Sequence, residues 1–204
     1  MAVRYVKRHG LPSRVLHWAV AVSCAVLVLS GLGLYDGNFR ILLQFFGGGA
    51  RAIWVHGVAG AVFAATSILL SLLHLPHTLS FDADDVRWLQ SFGGYLSRNA
   101  EEPPMGKFNT GQKLFDLVSL GCTIGFAVTG WILWKRAAYG PEAIAAALSW
   151  HSLLFVVLAT FLVVHVYLGT IGNPGTLSGM LWGEVSEAWA RKHAPKWLAK
   201  LQGR

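Results

Sequence analysis

The sequence predicts an all-α integral membrane protein built on four spanning helices, and three observations carry that prediction. Charged residues make up 13% of the 204-residue chain, where soluble domains carry about a quarter; apolar residues make up 54% and the mean hydropathy is +0.48. Four stretches hold no charged side chain: Val15 to Tyr35, Ala52 to Phe81, Leu117 to Trp134 and Ala143 to Gly183. Each is near or beyond the ~17–25 residues that a helix needs to cross a bilayer core. The 17 Lys and Arg residues are also unevenly placed, with thirteen in the N-terminal segment, second loop and C-terminal tail and four (Arg40, Arg51, Lys135, Arg136) in the other two loops. That asymmetry predicts both termini on the cytoplasmic side of a bacterial inner membrane. The formal charge of +7 is thereby read as a topology signal and not as a nucleic-acid surface.

Taken in order, Pro12-Ser13 starts the first span and the turn residues Tyr35-Asp36-Gly37-Asn38 end it. The apolar run is longer than a secretory signal core and lacks a small-x-small cleavage site, so it is read as a retained span. Gly47-Gly48-Gly49 leads into the second span and Pro76 closes it. The loop from His77 to Phe108 is the longest, with an acidic patch (Asp82, Asp84, Asp85), Gly93-Gly94 and Pro103-Pro104. It is expected to pack as a cap with a short helix around 86–96. The third span extends back past Asp116, and Tyr139-Gly140-Pro141 turns the chain into the fourth, which Asn173-Pro174-Gly175 ends. Beyond it, Leu177, Leu181, Val185, Ala188 and Trp189 recur at helical spacing. They predict an amphipathic helix over about 176–193 at the cytoplasmic surface. The expected organisation is one domain, 1–204, with spans at about 13–35, 51–76, 110–135 and 143–172. Cys24 and Cys122 fall inside spans, without a CxxCH motif or cysteine cluster, and read as packing thiols.

Histidines carry the chemistry. His151 and His165 lie fourteen residues apart on one charge-free run. Helix geometry places them about 21 Å apart along the axis and about 40° around it, on one face at two depths. Ionisable groups at membrane depth are functional candidates. If successive spans alternate in direction, His17 and His165 share the cytoplasmic level, and His56 and His151 share the opposite one. Two depth-matched pairs predict two bis-histidine haems between facing helices. With both axial positions filled, such irons suit electron transfer. The alternatives for an intramembrane histidine are a proton relay or a satisfied core side chain. Gly31, Gly60, Gly121 and Gly125 allow close approach of a flat cofactor, or equally of helix to helix. His74 and His77 are read as partners for a haem propionate or as interface residues.

A second constellation, Gly106-Lys107-Phe108-Asn109-Thr110-Gly111-Gln112-Lys113, enters the third span. Asn109 and Gln112 supply donors for a quinone carbonyl, and Gly111 allows close approach. Asn109 also reads as a helix N-cap. Asp116 is placed either to pass protons to a reduced quinone or simply to favour the positive end of its helix.

Four segments together (RVLHW at 14–18, VHGVAG at 55–60, GKFNTGQK at 106–113 and GEVSEAWARKHAPKW at 183–197) resemble the cytochrome b gamma subunit of respiratory formate dehydrogenases. The resemblance covers essentially the whole chain. It implies a four-span bundle with two haem b groups, ligated by His17 with His165 and by His56 with His151, and a quinone pocket at Asn109, Gly111 and Gln112. It further implies an iron–sulfur beta subunit as electron donor and a molybdenum- or tungsten-containing alpha subunit that oxidises formate, with no formate chemistry in this chain. Within the same class, the rival is the cytochrome b subunit of a nickel–iron hydrogenase or of another quinone-linked molybdoenzyme. From a different class, a proton-coupled transporter would use the histidines as relays, but the repeats and interrupted helices of such transporters are not evident.

Overall fold

The computed structural model describes residues 3–95 and 102–203. The expected end of the loop helix at 96 and two of the thirteen basic residues, Arg98 and Arg204, lie outside the described residues. In chain order the elements are β1 (Tyr5–Lys7), α1 (Leu11–Tyr35), α2 (Gly49–Thr78), α3 (Ala83–Ser91), α4 (Thr110–Trp134), α5 (Pro141–Tyr167), α6 (Ser178–Leu181), β2 (Glu184–Ser186), α7 (Glu187–His193) and α8 (Pro195–Gln202). A 3₁₀ segment, Gly37–Phe46, links α1 to α2, and a π-helical turn, Leu168–Gly172, continues α5. Four helices, α1, α2, α4 and α5 with its π turn, are long and apolar enough to cross a membrane. In hydrocarbon a spanning segment must satisfy its own backbone donors and acceptors, which a helix does within itself. The most apolar eighteen-residue stretch of α5 has none of its residues fully buried, and many of its large apolar side chains, among them Val156, Val163 and Val164, are exposed. In water that surface would be a severe liability; in lipid it is the solvated face.

The chain forms two compact units. One comprises residues 15–70 and 119–159, and in it the four long helices meet. Close approach here depends on glycine. A Cβ on Gly57 would stand 3.2 Å from the Trp134 ring, and one on Gly125 would stand 2.6 Å from Leu154 Cδ1. Gly60 and Gly121 have no such tight contact: the first would meet Leu27 at 3.9 Å, the second nothing within 4 Å.

The other unit comprises the described parts of 1–14, 71–118 and 160–204. β1 pairs antiparallel with β2, Val6 opposite Val185, and Arg8 N and His9 N both donate to Gly183 O at 2.8 and 3.1 Å. This corrects the expected single amphipathic helix over 176–193. Gly183 adopts φ +85°, and a Cβ there would lie 2.8 Å from His9 O, so the chain turns at this glycine and continues as a strand. Ser186 then caps α7 by accepting from Trp189 N, and Pro195 opens α8. The apolar positions that suggested one helix still face inward in part. Val185 and Trp189 form a small core with Ala190, Ala194 and Leu198, against which Val6 and Trp197 pack, whereas Leu177 and Leu181 stay exposed.

The loop helix α3 ends at Ser91, and the acidic patch explains its start. Asp82 and Asp85 form a reciprocal capping box. Asp85 also meets Lys113 at 2.7 Å and accepts from Thr110 Oγ1 at 2.8 Å, all three side chains buried, which fixes α3 to the start of α4. Lys196 of α8 reaches Asp82 and Asp84, both at 2.6 Å, and its hydrogen bond holds the Asp82 carboxyl below the usual range. The second span runs past Pro76 to Thr78, whose hydroxyl donates to Asp116.

Candidate functional site

Within the four-helix unit, His56 of α2 and His151 of α5 face one another with ring centroids 6.3 Å apart and planes inclined at 52°. Each ring is anchored through Nδ1. His56 Nδ1 lies 2.8 Å from Ser30 Oγ of α1, and His151 Nδ1 lies 2.8 Å from Thr129 Oγ1 of α4. Neither Nε2 has a hydrogen-bond partner among the described residues. Each hydroxyl residue is followed by a glycine that borders the imidazole: a Cβ on Gly31 would stand 3.2 Å from His56 Cε1, and one on Gly130 would stand 3.6 Å from His151 Cε1. Phe126 closes one side of His151 edge-on at 4.9 Å.

This arrangement fits a metal between two axial imidazoles. With metal–nitrogen bonds of about 2 Å, and ~1 Å more from nitrogen to ring centre, two such rings stand roughly 6 Å apart. Among the described residues no three His, Cys, Asp or Glu side chains gather as ligands for one ion. Two protein ligands suffice for an iron whose other four come from a macrocycle.

His17 and His165 belong to different units, His17 on α1 and His165 on α5. His17 packs edge-on against Trp18, with ring centres 5.4 Å apart. His165 stacks nearly parallel on Phe115 of α4, centroids 4.4 Å apart and planes 8° apart. Phe115 is three residues beyond Gln112, so His165 and the GKFNTGQK segment lie in the same unit.

That segment is occupied with structural work. Asn109 Oδ1 accepts from Gln112 N at 2.9 Å while Gln112 Oε1 accepts from Asn109 N at 3.1 Å, a capping box at the start of α4. Gly111 is required by Trp88, whose ring would be 2.8 Å from a Cβ at that position. The amide nitrogens of Asn109 and Gln112 take no part in the cap. Arg8, which belongs to no motif of the sequence, is buried here: its guanidinium lies on Trp189 at 4.3 Å and donates to Lys107 O at 2.8 Å and Gln112 Oε1 at 3.4 Å. Burial pushes its pKa down to about 9, and burial together with Arg8 lowers that of Lys107. Phe108 gathers His9, His74 and His77 around its ring at 6.4, 5.0 and 5.6 Å. His74 Nε2 also lies 2.8 Å from Ser13 Oγ. Asp116 receives hydroxyl hydrogen bonds from Ser71 (2.8 Å) and Thr78 (2.6 Å).

Sequence reasoning missed Ser30, Thr129 and Gly130. The available signal was a repeated dipeptide, Ser30-Gly31 and Thr129-Gly130, each inside an apolar run. Nothing in linear sequence ties either hydroxyl to a histidine on another helix.

The chain matches the prokaryotic cytochrome b561 family over residues 8–183. It is 30% identical over 200 residues to the formate dehydrogenase cytochrome b556(fdo) subunit of Escherichia coli strain K12, covering 97% of this chain and 93% of that protein. The nitrate-inducible formate dehydrogenase cytochrome b556(Fdn) subunit of the same strain is 28% identical over 204 residues, covering 98% and 93%. A putative protein-methionine-sulfoxide reductase subunit of Azospira oryzae is 28% identical over 192 residues, covering 83% and 93%. The four apolar helices and these relationships together make the chain an integral membrane protein of the prokaryotic cytochrome b561 family, a b-type cytochrome whose implied cofactor is haem b.

Proposed function

We propose that the chain is the dihaem cytochrome b subunit of a membrane-bound formate dehydrogenase, passing electrons from an iron–sulfur subunit to quinone. His56 and His151 hold one haem b, and His17 and His165 hold the second. The observation that carries this reading is the facing pair of imidazoles 6.3 Å apart, each tethered by Nδ1 and carrying an unengaged Nε2. When bound, haem supplies a one-electron couple with no open coordination position for oxygen chemistry. The kinship with formate dehydrogenase cytochrome b556 subunits over nearly the full chain supports the choice of complex. Its partners are then the iron–sulfur beta subunit and the molybdenum- or tungsten-containing alpha subunit, with formate oxidised there and not here.

The quinone site lies at Asn109, Gly111 and Gln112. With both amide oxygens committed to the cap, the two amide NH₂ groups remain as donors to a quinone carbonyl. The buried Arg8 and the neighbouring Lys107 make the surroundings positive. Quinone reduction takes up two protons, and Asp116 is the nearest carboxylate along α4, one turn beyond Gln112. The thirteen-to-four distribution of basic residues supports an inner-membrane placement with both termini and this site on the cytoplasmic side.

The Azospira relative, a putative protein-methionine-sulfoxide reductase subunit, supports a second reading, in which this chain serves an oxidoreductase other than formate dehydrogenase. Affinity purification of the tagged chain from its native membranes separates the two. Copurification of an iron–sulfur subunit and a formate-oxidising subunit, with formate reducing the b haem spectrum, is the expected result. Copurification of another catalytic subunit, with no reduction by formate, would overturn it.

A further inference from the structure

We infer that Ser30 and Thr129 are positioning residues that fix the tautomer and ring orientation of His56 and His151, and so tune a haem held between them. This rests on the reading that these two histidines share one haem.

The direction of each hydrogen bond follows from counting protons. A hydroxyl has one hydrogen. Ser30 Oγ donates it to Val26 O at 2.6 Å, and Thr129 Oγ1 donates it to Gly125 O at 2.7 Å, each one turn back along its own helix. In an apolar span this i−4 bond has no water to compete with it. Each oxygen therefore offers the neighbouring imidazole only a lone pair, and the ring nitrogen at 2.8 Å must be the donor. Both imidazoles are thereby set as neutral Nδ1–H tautomers, with the Nε2 lone pair the one available to a metal.

The arrangement occurs twice. Helices α1 and α2 supply Ser30, Gly31 and His56; helices α4 and α5 supply Thr129, Gly130 and His151. In both, a hydroxyl holds Nδ1 and the next residue lacks a side chain beside Cε1, so each ring is tethered on one edge and left room on the other. Each ring also ends a chain of hydrogen bonds, N–H to hydroxyl to helix carbonyl, whose links polarise one another. A ring donating through Nδ1 is a stronger donor at Nε2, which favours the oxidised metal. Hydroxyl partners accomplish this without placing a carboxylate at membrane depth.

The test is a redox titration and low-spin electron paramagnetic resonance of the intact complex. The variants are Ser30→Ala, Thr129→Val, their conservative counterparts Ser30→Thr and Thr129→Ser, and His151→Ala as a ligand control. The expected result is that Ser30→Ala or Thr129→Val moves one of two haem components to higher potential and shifts its resonance. The other component stays in place, and the hydroxyl-retaining variants return to wild type. Loss of one haem in the apolar variants that the conservative ones restore supports the inference equally. Wild-type titration and resonance in both apolar variants would overturn it, as would equal disturbance of both haems or equal effects from conservative and apolar replacements. If His151→Ala keeps the full haem complement, the ligation reading itself fails. If it loses a haem while the hydroxyl variants behave as wild type, only this inference fails.

Discussion

His56 and His151 differ from His17 and His165 in whether the fold gathers them within one compact unit. The first two are gathered in one compact unit, opposed at 6.3 Å, each with a hydroxyl on Nδ1 and a glycine at its edge. The second two fall in separate units, and each is described by an aromatic neighbour: Trp18 edge-on to His17, Phe115 face-on to His165. The lesson concerns what supports a ligand. A histidine whose second nitrogen is tied to its own scaffold is oriented before any cofactor binds. The Phe115 ring stacked on His165 sets the plane of that imidazole, and His17 meets Trp18 edge-on.

The strongest way to break this comparison is to remove a ligand. His56→Ala or His151→Ala should lose one haem per chain and leave the other at least partly bound, and His17→Ala or His165→Ala should remove the other; haem extraction with protein quantification checks both. Next comes Gly31→Ala, whose methyl group would press on His56 Cε1 from 3.2 Å. Overpacking of this kind costs about 1–3 kcal/mol. A lowered thermal midpoint and reduced haem occupancy are expected. Gly130→Ala, with 3.6 Å to His151 Cε1, meets an ordinary contact and should change both far less. Equal effects from the two glycines would show that the 3.2 Å contact does not constrain the ring.

Smaller effects sharpen the role of the GKFNTGQK segment. Asn109→Ala removes the capping oxygen and should cost about 0.5–2 kcal/mol, read by thermal melting. Asn109→Asp keeps an acceptor for Gln112 N but loses the amide donor. It should retain most of the stability and both haems while slowing quinol formation several-fold, as should Gln112→Glu. Wild-type quinone kinetics in both acidic variants would leave these side chains as caps alone. Gly111→Ala should act on stability through Trp88, at about 1–3 kcal/mol, with the haem spectrum unchanged.

Much of this was legible in the sequence, for physical reasons that also mark its limit. The four helices follow from runs without charge, because an apolar stretch of that length has few other stable conformations in a bilayer. The facing of His56 and His151 follows from depth, which alternates predictably when spans reverse. The tail was less legible. Val185, Ala188 and Trp189 have helical spacing, yet Gly183 turns the chain and Val185 pairs across from Val6, a contact nearly the whole chain away in sequence. Ser30 and Thr129 were invisible for a related reason: a hydroxyl in a spanning helix commonly bonds its own i−4 carbonyl, as both do, and only the fold brings a second partner. Gly111 read as a point of close approach, and the fold adds a neighbour that linear sequence does not name, the Trp88 ring.

The central claim is that His56 and His151 hold one haem of two. The most direct measurement is a pyridine haemochrome assay, with protein quantified in the same sample, on the wild-type complex and on the His56→Ala, His151→Ala double variant. The account predicts two b haems per chain falling to one. Two haems retained in the double variant, or none in the wild type, would contradict it.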